Sequence, residues 1–337
     1  MKSIVCEEPN KFVMREVAKP QLKKGEALIK IKRIGICGTD LHAYAGNQPY
    51  FNYPRILGHE LSGEIADLSD SYEPFEIGDY VSIIPYLECG QCIACKSGRT
   101  NCCQHLNVIG VHVDGGMQEY IAVPIKNLVK TNEISLDAAA IIECLSIGAH
   151  AVNRANIQQG EFALVIGAGP IGLGIMKFAH LKDARVIAMD TNEERLAFSK
   201  TWGSAELTVN ATTDIQESLL NITNGSMPTL IFDATGNSKS MENTFNLLAH
   251  GGKLVFVSLV EDTISFYDPD FHKKETTLLS SRNATLEDFE FVFQAIRNGE
   301  VDTDQFITNR IHFDSLIESF ESLLDPKNKV IKAIVEL

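Results

Sequence analysis

Short apolar runs alternate with amphipathic segments in the second half of the chain. Residues 173–181 place apolar side chains on one face and predict a helix. Five apolar runs around it are short enough to be buried strands, namely residues 162–166, 185–189, 229–233, 254–258 and 276–281. Because strands and helices alternate, the pattern predicts a doubly wound α/β domain with a parallel sheet.

The first part of the chain, residues 1–144, has a different pattern. Residues 27–32 alternate apolar and polar side chains, as half-buried strands do. Glycines and prolines divide the region into short segments. This pattern predicts a β-rich domain, in the form of a partly open barrel.

The last part of the chain, residues 284–337, predicts two helices and a final strand. The helices are expected over residues 286–297 and 314–324, and the strand over residues 330–337. We expect this tail to return to the first domain, so that the doubly wound domain over residues 145–283 is an insertion. The active site would then lie in the cleft between the two domains.

Composition narrows the class of protein. With 45% apolar and 22% charged residues, the 337-residue chain can bury a large core, which excludes disordered and fibrous proteins. Its formal net charge of −14 argues against partners such as nucleic acid or an anionic membrane surface. No uncharged apolar run reaches the ~18 residues of a membrane span, and the first residues do not resemble a signal peptide. We therefore expect a cytoplasmic protein, in which the eight cysteines do not form a disulfide framework.

Four of the cysteines lie within 15 residues, at Cys89, Cys92, Cys95 and Cys103. This dense spacing is typical of a closed zinc site, which would stabilise a lobe over residues 86–104 and perform no chemistry. An iron–sulfur cluster and a chance group of inert cysteines are the alternatives. Cys102 could replace Cys103 as a ligand, although the spacing favours Cys103.

A second metal site is indicated by residues that flank these cysteines in sequence. Cys37, His59 and Glu60 are of the types that bind zinc, and three protein ligands with an open fourth position describe a catalytic zinc site. Glu143 completes the constellation. Asp40 could accept a hydrogen bond from the second ring N–H of His59, or it could simply cap a turn or helix.

Two further polar residues of this segment, Thr39 and His42, are three positions apart. The Thr39 hydroxyl could bond a substrate alcohol, and the His42 imidazole could pass the proton toward water. The alternative is that His42 is an ordinary surface histidine.

A glycine-rich turn follows the first apolar run of the doubly wound domain. Gly167, Gly169 and Gly172 form a G-x-G-x-x-G motif, and Asp190 ends the next predicted strand, 18 residues after Gly172. Gly167 would make the turn, Gly169 would let the backbone approach a pyrophosphate, and Gly172 would let the helix pack closely on the strand. With the free N–H groups at the helix N-terminus, the motif predicts a dinucleotide site.

The identity of the dinucleotide depends on Asp190. Its carboxylate would accept hydrogen bonds from the adenine-side ribose and repel a 2′-phosphate, which favours NAD over NADP. Arg195 complicates this preference, since it could stack on adenine or pair with a 2′-phosphate. Other cofactor-binding residues are expected in the turn and after the strands: Pro170, Ile171, Thr235, Ser258 and Arg282.

Taken in order, these motifs resemble those of the zinc-dependent medium-chain alcohol and polyol dehydrogenases, over essentially the whole chain. The segments that carry the resemblance are residues 37–42, 58–60, 89–103 and 167–172. It implies a GroES-like catalytic domain, a Rossmann domain, a small-molecule substrate and a homo-oligomer, usually a dimer or a tetramer.

The resemblance also implies roles for single residues. Cys37, His59 and Glu60 would bind the catalytic zinc, and Thr39 and His42 would relay the proton.

A Glu-Cys-Leu-Ser segment at residues 143–146 is similar to the Glu-Pro-Leu-Ser of the polyol branch, which includes sorbitol and threonine dehydrogenases. Glu143 would bind the zinc directly or through water. Cys144 replaces the usual proline, and its offset of one residue would direct the thiol away from the metal.

Four further segments resemble those of bacterial sugar-acid 5-dehydrogenases, which act on L-galactonate or L-gulonate: residues 46–51, 112–116, 271–276 and 281–285. A sugar acid brings a carboxylate that His112, His272, Lys273 or Arg282 could bind. The alternatives are that Lys273 is a solvated surface charge and that Arg282 serves the cofactor.

Together these features predict an oxidoreductase with two zinc ions per chain. It would transfer a hydride from a secondary alcohol of a sugar acid, L-galactonate or L-gulonate at C5, to NAD. A neutral polyol such as sorbitol, or L-threonine, is the alternative substrate. A different class is also open, namely a zinc-stabilised nucleotide-binding protein that has lost turnover.

Overall fold

The chain folds into two compact units in a computed structural model that describes residues 1–49, 51–70 and 72–337. The first unit consists of Met1–Cys144 and Thr285–Leu337, and the second consists of Leu145–Ala284. Among the described residues, no helix combines the length and the apolar character that crossing a membrane requires.

The first unit is built mainly from strands. Those before residue 144 are β1 (Lys2–Glu8), β2 (Lys11–Glu16), β3 (Glu26–Ile36), β4 (Glu60–Leu68), β5 (Tyr80–Ile83), β6 (Tyr86–Leu87), β7 (Asn107–Val108), β8 (Tyr120–Pro124) and β9 (Leu128–Lys130). The helices of this part are α1 (Gly38–Ala45), α2 (Ile93–Lys96) and α3 (Leu136–Ala140), with 3₁₀ turns at Thr100–Cys102 and Ile125–Asn127. Helix α4 (Ile142–Ala155) leads into the second unit.

The second unit alternates strands and helices. Its strands are β10 (Phe162–Ile166), β11 (Arg185–Asp190), β12 (Leu207–Asn210), β13 (Leu230–Asp233), β14 (Lys253–Phe256) and β15 (Thr277–Ser280). Its helices are α5 (Pro170–Leu181), α6 (Glu193–Thr201), α7 (Ile215–Ile222), α8 (Ser238–Thr244) and α9 (Asp268–Lys273). All neighbouring strands pair in parallel, in the order β12-β11-β10-β13-β14-β15. The predicted doubly wound sheet is confirmed, and the strand order reverses between β10 and β13, where such sheets bind ligands.

The chain then completes the first unit. The remaining elements are α10 (Leu286–Arg297), α11 (Thr303–Phe306), β16 (Ile307–His312), α12 (Leu316–Ser319) and β17 (Lys332–Glu336), with 3₁₀ turns at Phe313–Ser315, Phe320–Leu324 and Pro326–Asn328. Strand β17 pairs antiparallel with β3. The resulting seven-stranded sheet has the order β16-β17-β3-β4-β5-β9, with β8 also paired to β3.

In β3, the predicted alternation of buried and exposed side chains holds at residues 29–31 but not at residues 27–29, which are all buried. Ile29 and Ile31 are buried, whereas Lys30 between them is exposed. Elsewhere in the core of the first unit, three buried aromatic rings pack on one another, with ring centroids 4.8 to 5.0 Å apart. They are the rings of Phe12, Tyr44 and Phe320. These rings bring together residues from three distant parts of the sequence.

Two predicted helices differ from the structure. Helix α5 begins at Pro170 instead of residue 173, because proline fits the first position of a helix. The helical stretch expected over residues 314–324 is present, but it consists of one α-helical turn between two 3₁₀ segments instead of a continuous α-helix. Local hydrogen bonds favour the tighter turns, and one of them runs from Ser322 Oγ to the carbonyl oxygen of Ser319.

We predict that Gly172→Ala destabilises the second unit. A Cβ atom at this position would overlap the carbonyl oxygen of Gly167, which is backbone and cannot rotate away. Such overpacking should lower the free energy of unfolding by about 1–3 kcal/mol, as measured by chemical denaturation. Gly169→Ala is the matched control, because a Cβ there would meet no described atom within 4 Å. Equal stability of both variants would contradict the prediction.

Candidate functional site

The pairing of β3 with β4 brings the predicted open-site ligands together. Cys37 follows β3 and caps the N-terminus of α1, and Glu60 is the first residue of β4. Gly35 lies opposite Glu60 in the antiparallel register, and its lack of a side chain leaves room for the Glu60 carboxylate. One ligand atom from each of Cys37, His59 and Glu60 lies within 4.8 Å of the other two.

Asp40 connects the two loops that carry these ligands. Its Oδ2 accepts a hydrogen bond of 2.9 Å from the backbone N–H of Cys37, and its Oδ1 accepts one of 3.1 Å from that of Gly58. Oδ1 also lies 3.7 Å from Nδ1 of His59. Burial raises the pKa of Asp40. Asp40 therefore caps α1, as one interpretation predicted. The hydrogen bond predicted from His59 to Asp40 stays a prediction, because 3.7 Å is too long for one.

A buried lysine that the sequence reasoning missed faces the ligand set. Lys332 in β17 is 1% exposed, and its Nζ donates to both carboxylate oxygens of Glu60, at 2.6 and 2.8 Å, and to the carbonyl oxygen of Ile36 at 3.1 Å. The sequence did contain a signal for a buried lysine, because Lys332 is the one charged residue of the apolar segment 330–335.

Glu143 is held by Tyr86, a second buried residue that the sequence reasoning missed. The Tyr86 hydroxyl donates to Oε1 of Glu143, and both side chains are buried. Burial raises the pKa of Tyr86 and that of Glu143. Among the described residues, the set with mutually close ligand atoms contains Cys37, His59 and Glu60 but not Glu143.

The residues present fit a divalent cation. Within the part of the chain that the structure describes, Nδ1 of His59 is buried and has no hydrogen-bond partner. Among the described residues of this site, three buried carboxylates, those of Asp40, Glu60 and Glu143, are matched by one buried ammonium, that of Lys332. This excess of negative charge, together with one thiol and one imidazole, suits an ion such as zinc.

Thr39 and His42 lie in the first two turns of α1. A spacing of three residues places them on the same side of the helix. Thr39 is half-buried and His42 is exposed, as a path from a site toward solvent would require. Tyr50, in the segment 46–51 that contributed to the resemblance, lies outside the described residues.

The four cysteines of the predicted closed site form a compact group. The Sγ atoms of Cys89, Cys92, Cys95 and Cys103 lie within 4.8 Å of one another. Cys102 is exposed and is not part of this group.

The thiols of this group differ in acidity. Backbone N–H groups, foremost that of Cys95, lower the pKa of Cys92 to about 6. Burial instead raises the pKa of Cys95 to about 12. Since the thiolate is the form that binds metal, Cys92 is the thiol of this pair that is better prepared to bind a cation.

Cys144 is buried beside Glu143. It belongs to neither group of candidate metal ligands among the described residues. Burial raises the pKa of its thiol, which disfavours the thiolate.

In the second unit, the glycine-rich turn joins β10 to α5. Gly167 has a φ of +93°, which a residue with a side chain rarely adopts. Gly169 is the N-cap of α5 and provides no side chain to bond the first N–H groups of the helix. Asp190 Oδ2 accepts a 2.7 Å hydrogen bond from the backbone N–H of Ala168 in this turn. The open space at Gly169 and the uncapped helix suit a pyrophosphate.

The other predicted cofactor residues lie at the same edge of the sheet. Pro170 and Ile171 open α5, Thr235 follows β13, Ser258 follows β14, and Arg282 follows β15. Arg195 lies in the first turn of α6 and is exposed. A dinucleotide would meet residues of this edge, because the strands are parallel and their carboxyl ends coincide.

The four residues considered for a substrate carboxylate are divided between the units. His112 belongs to the first unit, and its Nδ1 accepts a 3.1 Å hydrogen bond from the backbone N–H of Val108. His272, Lys273 and Arg282 belong to the second unit. All four are exposed.

Comparison with known proteins identifies the family of this chain. Residues 23–133 match the model of the alcohol dehydrogenase GroES-like domain, and residues 170–298 match that of zinc-binding dehydrogenases. The chain is 45% identical to L-galactonate-5-dehydrogenase of Escherichia coli K12, over 99% of this chain and 98% of that protein. It is 30% identical to sorbitol dehydrogenase of Bacillus subtilis, over 99% of this chain and 97% of that protein.

A solved structure of an alcohol dehydrogenase from Escherichia coli CFT073, in complex with NADH, has the same fold. Its TM-score is 0.93 at 30% identity, with 100% of this chain and 99% of that chain covered. The matched domains and the full-length relatives lead to one conclusion: the chain belongs to the zinc-type medium-chain alcohol dehydrogenases, which combine a GroES-like domain with a Rossmann-type domain and use a nicotinamide cofactor.

Proposed function

We propose that this enzyme oxidises a secondary hydroxyl group of a sugar acid and transfers the hydride to NAD. The observation that carries the substrate class is the 45% identity to L-galactonate-5-dehydrogenase over 99% of the chain. Sorbitol dehydrogenase, which represents the neutral polyols, is more distant at 30% identity. L-Galactonate and L-gulonate, oxidised at C5, are the substrates to test first.

The open site of the first unit supplies the chemistry in this proposal. Cys37, His59 and Glu60 would hold one zinc ion, which as a Lewis acid lowers the pKa of a substrate hydroxyl. Thr39 would accept the hydroxyl proton and His42 would pass it to solvent, in keeping with their half-buried and exposed positions.

A second zinc ion would occupy the group of four cysteines. This site is closed by four thiols, so its role would be to stabilise the surrounding lobe. Metal analysis distinguishes zinc from the iron of an iron–sulfur cluster. It also separates an enzyme with two zinc ions from an inactive protein with one.

In the second unit, Asp190 supports NAD in preference to NADP. Its carboxylate lies at the end of β11 and accepts from the backbone of the glycine-rich turn, so it is held beside the predicted pyrophosphate site. There a 2′-phosphate would meet a negative charge. One of His112, His272, Lys273 and Arg282 would bind the carboxylate of the sugar acid.

We also propose that the enzyme works in the cytoplasm as a dimer or tetramer. All eight cysteines are free, as a reducing compartment favours. Strand β15 ends the sheet of the second unit, and Leu278 within it is 40% exposed, which suits contact with a second copy.

The substrate proposal is tested by a screen of L-galactonate, L-gulonate, sorbitol and L-threonine with NAD, following absorbance of NADH. We expect saturable oxidation of one of the sugar acids and kcat/KM at least about tenfold lower for sorbitol, because loss of one charge-assisted hydrogen bond corresponds to about 1.5–3 kcal/mol. Higher kcat/KM for sorbitol or threonine than for both sugar acids would contradict the proposed substrate class.

For the open metal site, we predict that Cys37→Ala reduces turnover to background and lowers the zinc content from two ions per chain to one. Dissociation of NADH, measured by fluorescence, should be unchanged, because the nucleotide residues lie in the other unit. Cys6→Ala removes a buried thiol of the first unit that belongs to neither candidate metal site, and it should keep both zinc ions. Activity retained in Cys37→Ala would refute the assignment of the open site.

For the cofactor, we predict that Asp190→Ala weakens NADH binding by about tenfold or more, because hydrogen bonds to a charged group contribute about 1.5–3 kcal/mol. The preference for NADH over NADPH should also decrease, because the repulsion of a 2′-phosphate is lost. Fluorescence titration with both nucleotides measures the two effects. An unchanged preference would show that another group reads the ribose.

A further inference from the structure

Tyr86 is fixed in the first unit by its backbone and by its ring. Its strand, β6, pairs with β7 so that Tyr86 lies opposite Val108. The side-chain amide of Asn127 donates 3.0 Å hydrogen bonds to the carbonyl oxygens of Tyr86 and Ile84. The Tyr86 ring also meets Phe289 edge to face, with centroids 6.2 Å apart. Its hydroxyl therefore points in a defined direction.

That hydroxyl meets Glu143, a buried carboxylate that is not part of the close ligand set. Tyr86 donates to Oε1, so one of the two carboxylate oxygens is already engaged. Helix α3, which ends three residues before Glu143, is bonded to the two strands that hold the ligands: Ser62 of β4 donates to the carbonyl oxygen of Leu136, and Arg33 of β3 donates to Asp137. This packing brings the start of α4, with Glu143, next to those strands. The second oxygen, Oε2, is then the one left for a metal ion or for a molecule bound beside it.

We propose that Tyr86 is a positioning residue, which holds the Glu143 carboxylate at the open metal site in one orientation. The inference rests on the proposed function, because it requires a metal ion bound by Cys37, His59 and Glu60.

Tyr86 lies next to the cysteine lobe in the chain, so it connects the closed site to the open site. Tyr86 precedes Cys89, the first of the four clustered cysteines, by three residues. The backbone N–H of Cys89 donates to Sγ of Cys103, so the start of the cysteine lobe is tied to its end. The lobe that carries the closed site thus holds, through Tyr86, a carboxylate of the open site.

The test compares Tyr86→Phe with the wild-type holoenzyme. The variant keeps the ring and its contact with Phe289 and removes only the hydroxyl. We expect the affinity of the open site for Zn²⁺, measured by competition with a chelator, to fall by about tenfold, the lower end of the effect of removing a partner of a metal-site residue. The visible absorption spectrum with Co²⁺ at the open site should also change.

Tyr44→Phe is the matched control. Tyr44 is 5% exposed, as is Tyr86, and its hydroxyl also donates to a glutamate, at 3.1 Å from Oε1 of Glu321. This variant should lose comparable stability in thermal unfolding, with no change in Zn²⁺ affinity or in the Co²⁺ spectrum. A change of the same size in both variants would overturn the proposal, because it would show a general effect of losing a buried hydroxyl.

A second variant tests whether Tyr86 acts through Glu143. Glu143→Gln should change the Co²⁺ spectrum, and the double variant with Tyr86→Phe should match Glu143→Gln alone. Additive effects, or a Tyr86→Phe protein with wild-type affinity and spectrum, would overturn the inference. Wild-type protein that binds metal only at the four cysteines would instead refute the proposed function on which the inference rests.

Discussion

A carboxylate in a protein interior is stable only where hydrogen bonds or opposite charges replace the water it has lost. Asp40 meets this condition with the backbone N–H groups of Cys37 and Gly58, two residues that are 21 positions apart. The same bonds set the distance between the loop after β3 and the start of β4. The ligand geometry therefore depends on Asp40, because Cys37 and His59 belong to these two segments.

The pair formed by Glu60 and Lys332 adds a second constraint. Removing one partner of a buried ion pair commonly destabilises a protein by about 3–5 kcal/mol, since the other charge is left without compensation. Here the ammonium comes from the last strand and the carboxylate from β4. The C-terminal strand thus contributes to the open site as well as to the sheet. A divalent cation would balance the negative charge that a single lysine leaves uncompensated.

In the second unit, the glycine-rich turn leaves backbone N–H groups at the start of α5 uncovered by side chains, as a phosphate site requires. The turn at Gly167 and the bare N-cap at Gly169 expose the start of α5, while Asp190 braces the turn from the neighbouring strand. Parallel pairing then brings residues from successive strand ends to one edge. The sheet provides a base for these loops, at the edge where parallel sheets of this kind bind dinucleotides.

The sequence by itself determined the fold class, the doubly wound sheet and the residues with metal-binding chemistry, because these depend on local periodicity and on short spacings between residues. Cys89 to Cys103 and Gly167 to Gly172 are each encoded within 15 residues. Only the tertiary structure showed that Lys332 contacts Glu60 across 272 positions and that Tyr86 contacts Glu143 across 57. Such contacts arise from strand pairing and burial between distant segments, which no local pattern records. For the same reason, only the structure revealed that the Tyr86 hydroxyl holds Glu143. It also showed that Glu143 does not belong to the candidate metal ligands with mutually close atoms, which are Cys37, His59 and Glu60.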